Sequence, residues 1–218
     1  MPSKRYAQYC PVARSLDVLG ERWTLLVVRS LLMGPQRYTD LRDALPGIAT
    51  DLLTARLRTL EDAGYVQRRE LPRPAPATVY ELTDSGWRLA HLVLALAQIG
   101  LDRLGAPAAD EDISPAALVL SLRASLHHDR AAHAEDDYQL ELDGESFTVT
   151  IENGQLQTTR GPAPNPRCTI STSARTLAQM LSGAADPKAA MAAGDLRLDG
   201  PQSCLTRFVS TFAYPTAA

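Results

Sequence analysis

Between residues 37 and 73, Arg37, Arg56, Arg58, Arg68, Arg69 and Arg73 are interleaved with Tyr38, Thr50, Asp51 and Thr54. Guanidinium groups pair with phosphate oxygens, while short hydroxyl and carboxylate side chains can reach the hydrogen-bonding edges of bases. The set suits a surface that meets double-stranded DNA, with the arginines on phosphates and Thr50, Asp51 and Thr54 toward the bases. Thiol chemistry is a second candidate. Cys10 precedes Pro11 at a helix start, where the helix dipole favours thiolate; a plain packing role competes with it. Cys168 and Cys204 are expected to pack, since the three cysteines have no metal-ligand spacing. His127, His128 and His133, beside Asp129, Glu135, Asp136 and Asp137, read better as a helix end and a solvated loop than as a metal site. No nucleophile motif, phosphate loop or dinucleotide glycine motif stands in the chain. Neither an enzyme, a metal nor a cofactor is expected.

The elements that must position the basic set follow from periodicity. Leu41 and Leu45 lie four apart, so residues 38–45 read as a helix with one buried face. Pro46-Gly47 ends it. Leu53, Leu57 and Leu60 give residues 50–63 a single apolar stripe, with Thr50 as its cap and Gly64 just past its end. Thr50, Asp51, Thr54, Ala55 and Arg58 are left pointing outward. A short strand ending in Arg68-Arg69, a proline-rich loop holding Arg73 and a return strand over 79–82 complete a helix, turn, helix and basic hairpin. This is the order of a winged helix-turn-helix, which lays its second helix in the major groove.

Charge is divided along the chain. The net charge of −3 argues against a nucleic-acid partner, but residues 1–105 carry 14 Lys/Arg against 11 Asp/Glu, and residues 106–218 carry 8 against 14. Only the first half should face DNA, with few phosphate contacts per subunit. The N-terminus lacks the apolar core of a signal peptide. The longest apolar run, near 89–101, is broken by His91, Gln98 and Gly100 and is shorter than the roughly 20 residues of a membrane span. A cytoplasmic location without membrane contact is therefore expected.

Helices are expected over 12–19 and 22–33 before the reading module, and over 85–104 after it. The last is apolar nearly all round, from Trp87 through Leu92, Leu96 and Ile99 to Leu104. Such a helix must be covered on two sides. One side packs on its own domain, and the other supplies most of a homodimer interface.

Several motifs carry a family resemblance: Cys10-Pro11-Val12, the segment Leu19 to Leu26 (LGERWTLL), Arg37 to Leu41 (RYTDL) and Arg56 to Glu61 (RLRTLE). Over residues 6–104 the chain resembles HxlR-type bacterial transcriptional regulators. The resemblance implies a homodimer on a partly palindromic operator. Members often carry a serine where Ala49 stands, which moves the capping role to Thr50.

Residues 106–113 read as a small, acidic linker, dividing a winged-helix domain over 1–105 from a second domain over 114–218. The second domain begins with a helix over 114–126. Alternating strands follow over 138–142 and 147–151, with further strands over 156–159 and 168–171. Asp143-Gly144 and Asn153-Gly154 are hairpin signals. Helices over 173–181 and 187–193, an edge strand over 196–198 and a helix over 201–212 complete an antiparallel sheet with helices on one face. The fold class is thus α+β throughout: a mainly α winged domain with a β wing, then an α+β domain.

Asp143-Gly144-Glu145, the segment Ala192 to Gly200 and the closing apolar helix resemble the sterol-carrier-protein-like fold over about 113–214. That resemblance implies a cavity for an apolar small molecule and no catalytic residue. Its lining would come from Leu118, Leu122, Phe147, Val149, Met180, Leu181, Met191, Phe208 and Phe212. The expected function is a ligand-responsive DNA-binding regulator. Its alternatives are a thiol sensor through Cys10 and a lipid-binding carrier or interaction protein.

Overall fold

The structure is a computed structural model and describes residues 5–72, 76–132 and 134–215. The chain forms two compact units, Met1–Val93 and Leu94–Ala218.

The first unit opens with α1 (Pro11–Leu19), started by Pro11 in its first turn, and α2 (Thr24–Leu31). A short strand β1 (Gln36–Arg37) leads into α3 (Tyr38–Asp43), then α4 (Thr50–Asp62), β2 (Val66–Leu71) and β3 (Ala77–Leu82). The three strands form one antiparallel sheet in the order β1-β3-β2. Strand β1 is too short to leave a periodic signature and was not expected. The core is made by Val27, Val28 and Leu31 of α2, Leu41 and Leu45, and the stripe Leu53, Leu57 and Leu60, all at most 1% exposed. Gly64 closes α4 in the left-handed region at φ 73°. There Tyr65 N–H returns to Leu60 O at 2.9 Å, satisfying a carbonyl of the last turn.

The helix expected over 85–104 is two helices, α5 (Asp84–Trp87) and α6 (Ala90–Leu101). Thr83 caps α5: its hydroxyl accepts from Gly86 N–H and donates to Gly64 O. Leu89 N–H then bonds Gly86 O, three residues back, which tightens the backbone between the two helices. Leu89, Val93 and Leu101 are buried, whereas Trp87, Leu92, Leu96, Ile99 and Leu104 are 40–63% exposed.

The second unit begins with α7 (Pro115–Ser125), capped by Ser114, and a short α8 (His128–Ala131) that the sequence reading missed. Strands β4 (Asp136–Leu142), β5 (Glu145–Glu152) and β6 (Gln155–Arg160) form a meander. Its two turns place Asp143, Gly144, Asn153 and Gly154 at positive φ, as two-residue hairpin loops require. Next come β7 (Cys168–Thr172), α9 (Ala174–Leu181), α10 (Pro187–Ala193), β8 (Leu196–Asp199) and α11 (Gln202–Phe212). The sheet order is β6-β5-β4-β7-β8, with β8 at an edge as expected.

The sheet is mixed rather than antiparallel, because β7 runs parallel to β4. After β6 the chain returns across the meander to the far side of β4. Residues 161–167 make that crossing, and Gln139 Oε1 accepts Ala163 N–H on the way. This accounts for a glutamine only 4% exposed in mid-sheet. Tyr138, Leu140, Leu142, Phe147, Val149 and Ile151 project from the sheet into the core with Leu122, Leu177, Phe208 and Phe212 of the helices, all 0% exposed. The unit boundary falls within α6, ahead of the expected linker. Within that linker Arg175 of α9 donates to Ala108 O (2.8 Å) and Glu111 O (2.6 Å).

Candidate nucleic-acid interface

The reading pair is built around α4. Its buried stripe faces the core, so Thr50, Asp51, Thr54, Ala55 and Arg58 are exposed. Tyr38 struts the pair: its hydroxyl donates to Thr50 O at 2.8 Å and lies 3.3 Å from Thr54 Oγ1. Arg37 stands exposed just before α3, and its N–H is held by the Asp40 carboxylate at 3.1 Å.

Thr50 does not cap α4. It is the first helical residue, and Ala49 stands at the cap position with no side-chain acceptor. A serine there could accept a first-turn N–H. Ala49→Ser is therefore expected to stabilise the first unit by about 0.5–2 kcal/mol, read as a raised urea midpoint.

The arginines divide by environment. Arg58 is exposed and without a partner among the described residues. Arg56 is turned inward, its side chain only 15% exposed. Its Nε donates to Arg22 O at 3.0 Å and its Nη2 to the Glu21 carboxylate at 3.0 Å. The Glu21-Arg22 segment is thus a socket that fixes α4, a role that a short polar motif does not announce. On the wing, Arg68 is bidentate to Glu61 at 2.8 and 3.0 Å and lies over the Tyr80 ring. Arg69 pairs with Glu81 at 2.7 Å. Bonds from Gln67 and Arg69 hold the Glu81 carboxyl below its ordinary range. Exposed pairs of this kind contribute only about 0–1 kcal/mol, so both arginines can exchange their carboxylates for phosphates. Arg73 lies outside the described residues.

These differences separate two variants. Arg58→Ala should leave folding unchanged, weaken binding to every duplex and lower the slope of log affinity against log salt by about 1. Arg56→Ala should lower the melting temperature as well, because Arg22 O and the Glu21 carboxylate lose the partly buried guanidinium that ties α4 to them.

Residues 18–106 match the HxlR-like helix-turn-helix family. An HTH-type transcriptional regulator of Synechocystis, sll1512, is 39% identical over 95 residues, covering 44% of this chain and 70% of that protein. The chain belongs to the HxlR-like helix-turn-helix family. It is a transcriptional regulator of the winged-helix type, and the family fold implies DNA binding. The HTH-type regulator YodB of Bacillus subtilis is 35% identical over 81 residues, covering 37% of this chain and 72% of YodB. The solved structure of reduced YodB covers 44% of this chain and 94% of its own, at 32% identity and a TM-score of 0.38.

The second half of this HxlR-like protein, residues 116–213, matches the SCP-2 sterol transfer family. Leu118 and Leu122 of α7, Phe147 and Val149 of β5, Met180 and Leu181 of α9, and Phe208 and Phe212 of α11 are all buried, and Met191 of α10 is half-buried. The expected lining residues are thus core residues of one unit. Phe208 packs between Tyr138 and Phe212, with ring centroids 5.0 and 4.9 Å away. A separate polar depression on the β5–β6 hairpin is lined by Thr150, Glu152, Asn153, Gln155 and Gln157 and uses none of the expected residues.

At the end of the acidic and histidine-bearing stretch, the first residue of β4 centres an ionic cluster. Asp136, whose side chain is 0% exposed, accepts from Arg167 (2.9 Å), Arg207 (3.3 Å) and the Tyr138 hydroxyl (3.1 Å). Burial first, and the Asp136 charge second, push the Tyr138 phenol well above its ordinary range. His127 bonds Ala213 O through Nε2 at 3.0 Å, and His133 lies outside the described residues. Cys10 is a free, half-buried cysteine at the start of α1. Cys168 and Cys204, expected to pack separately, are joined in a disulfide. Their separation of 36 residues concealed the pairing, which only the placement of β7 under α11 produces.

Proposed function

We propose that this regulator acts in the cytoplasm as a homodimer on a partly palindromic operator, and that an apolar small molecule in its second unit adjusts operator affinity. The observation that carries the DNA reading is the polarity of α4. Leu53, Leu57 and Leu60 are buried while Thr50, Asp51, Thr54 and Arg58 are exposed. One face is spent on the core, and the other is free to enter a major groove.

The dimer reading rests on α6. Leu92, Leu96 and Ile99 recur at spacings of four and three and are 40–63% exposed on the single chain. A continuous apolar strip of this kind on one helix marks an association surface. Two copies would set their α4 helices about 34 Å apart, one duplex turn. The ligand reading rests on the match to the SCP-2 sterol transfer family and on the methionine-containing core between sheet and helices. A ligand can act only by binding one dimer geometry more tightly than another.

The test is a footprint on the DNA upstream of the chain's own coding region at physiological salt, repeated with saturating long-chain alcohol. Protection of two half-sites one turn apart is the expected result. Folded protein that binds duplex DNA no better than a generic acidic protein would overturn the operator reading. An operator affinity unmoved by the alcohol would overturn the ligand reading alone.

A further inference from the structure

The disulfide joins the start of β7 to the first turn of α11. Cys204 lies in the first turn of the eleven-residue α11, and its N–H bonds Pro201 O at 2.8 Å. A helix N-terminus stabilises thiolate, and so does a neighbouring guanidinium. Arg207 stands one turn further along α11 and Arg167 immediately precedes Cys168. Both guanidiniums converge on the same buried carboxylate, Asp136. The sulfurs are covered, with each cysteine 2% exposed, and Cys204 lies on the buried face of α11 with Leu205 and Phe208, opposite the exposed Gln202, Ser203, Thr206 and Arg207. An oxidant therefore reaches them when the first turn of α11 opens. Gly200, at φ 131°, lies so close that a Cβ would come within 2.5 Å of Cys168 Cβ, so only glycine fits where the chain enters α11.

We propose that Cys168 and Cys204 are a reversible thiol–disulfide pair, oxidised by hydroperoxide, that fastens α11 to β7. The Cys204 thiolate attacks one peroxide oxygen, the O–O bond breaks and, after protonation, water (or the alcohol of an organic peroxide) leaves. The Cys168 thiolate then displaces the hydroxyl of the Cys204 sulfenic acid as a second water, forming the S–S bond. Two thiols lose two electrons and the peroxide gains them. A dithiol reductant reverses the reaction by exchange. The bond matters because α11 carries Leu205, Phe208 and Phe212 into the core. In the dithiol form α11 is held by that packing and by Arg207 on Asp136. In the disulfide form it is also tied covalently across a 36-residue separation.

The full chain, reduced and then treated with a small excess of hydrogen peroxide, should lose alkylation at Cys168 and Cys204 and keep it at Cys10. Amide exchange over 202–212 should slow by about ten-fold on oxidation. Cys168→Ser should trap a dimedone adduct on Cys204 after peroxide, and Cys10→Ser should respond as the unaltered protein does. If Cys168→Ser fails to fold, the alkylation and exchange measurements on the unaltered chain still decide. Equal exchange over 202–212 in both states, or oxidation that falls on Cys10 instead, would overturn the proposal. These readouts need neither DNA nor an apolar ligand, so they stand apart from the outcome of the footprint.

Discussion

Alanine in place of Gly86 is expected to destabilise the winged-helix unit by roughly 3 kcal/mol or more. It should also abolish operator binding near the growth temperature. A Cβ at this position would meet Tyr65 O at 2.0 Å, Tyr65 C at 3.0 Å and Leu82 Cβ at 3.2 Å. The first two are backbone atoms and cannot rotate away. They belong to the junction where α4 ends, where Thr83 N–H bonds Tyr65 O at 3.0 Å and the Thr83 hydroxyl bonds Gly64 O. Admitting the methyl means separating α5 from that junction, and with it the wing from the reading helix. Against a total stability of about 5–15 kcal/mol, the loss should appear as a large fall in the urea midpoint. Gly100, in α6, is the control: nothing lies within 4 Å of its Cβ position. Gly100→Ala should be neutral or stabilising by about 0.5–1 kcal/mol. A Gly86→Ala protein with unchanged melting and DNA binding would refute the close approach of the two segments.

Phe208→Ala is expected to cost about 3–5 kcal/mol in the second unit. The ring is 0% exposed and sits against Tyr138 and Phe212. Its removal leaves a void that the sheet side cannot fill, since Tyr138 is held at its hydroxyl by Asp136. Urea unfolding followed by a probe confined to residues 114–215 would measure the loss. The magnitude also bears on the ligand reading. A loss below about 1 kcal/mol would mean that Phe208 borders open space, as a residue lining an apolar cavity does. A full loss means that the ring is packed on all sides in the unliganded chain, so a ligand must displace core side chains to enter.

Several features were legible in the residues alone because they depend on local rules. The stripe Leu53, Leu57 and Leu60, the stop at Pro46-Gly47 and the turn at Gly64 locate the reading helix to within a residue or so of Thr50–Asp62. Asp143-Gly144 and Asn153-Gly154 announced their hairpins because only particular residue types accept positive φ. The family motifs identified the first half, and the match over residues 18–106 agrees with them. Other features were not legible because they depend on which segments meet. Arg56 looks like any exposed basic residue of a reading helix until the Glu21-Arg22 segment is seen to receive it. The break at residues 88–89, where Leu89 N–H bonds Gly86 O, interrupts an apolar pattern that runs on without a gap.

Taken by itself, the sequence determined the order and type of the principal elements, the outward stripe of α4 and the family. These follow from spacings within one helix or one hairpin, where backbone geometry leaves few alternatives. Only the tertiary structure decided how those elements use their polar groups. It turned Arg56 inward, laid β7 parallel to β4, buried Asp136 between two arginines and joined Cys168 to Cys204. Each of these depends on contacts between residues distant in the chain. Burial and proximity there are set by packing of the whole unit, which no local spacing encodes.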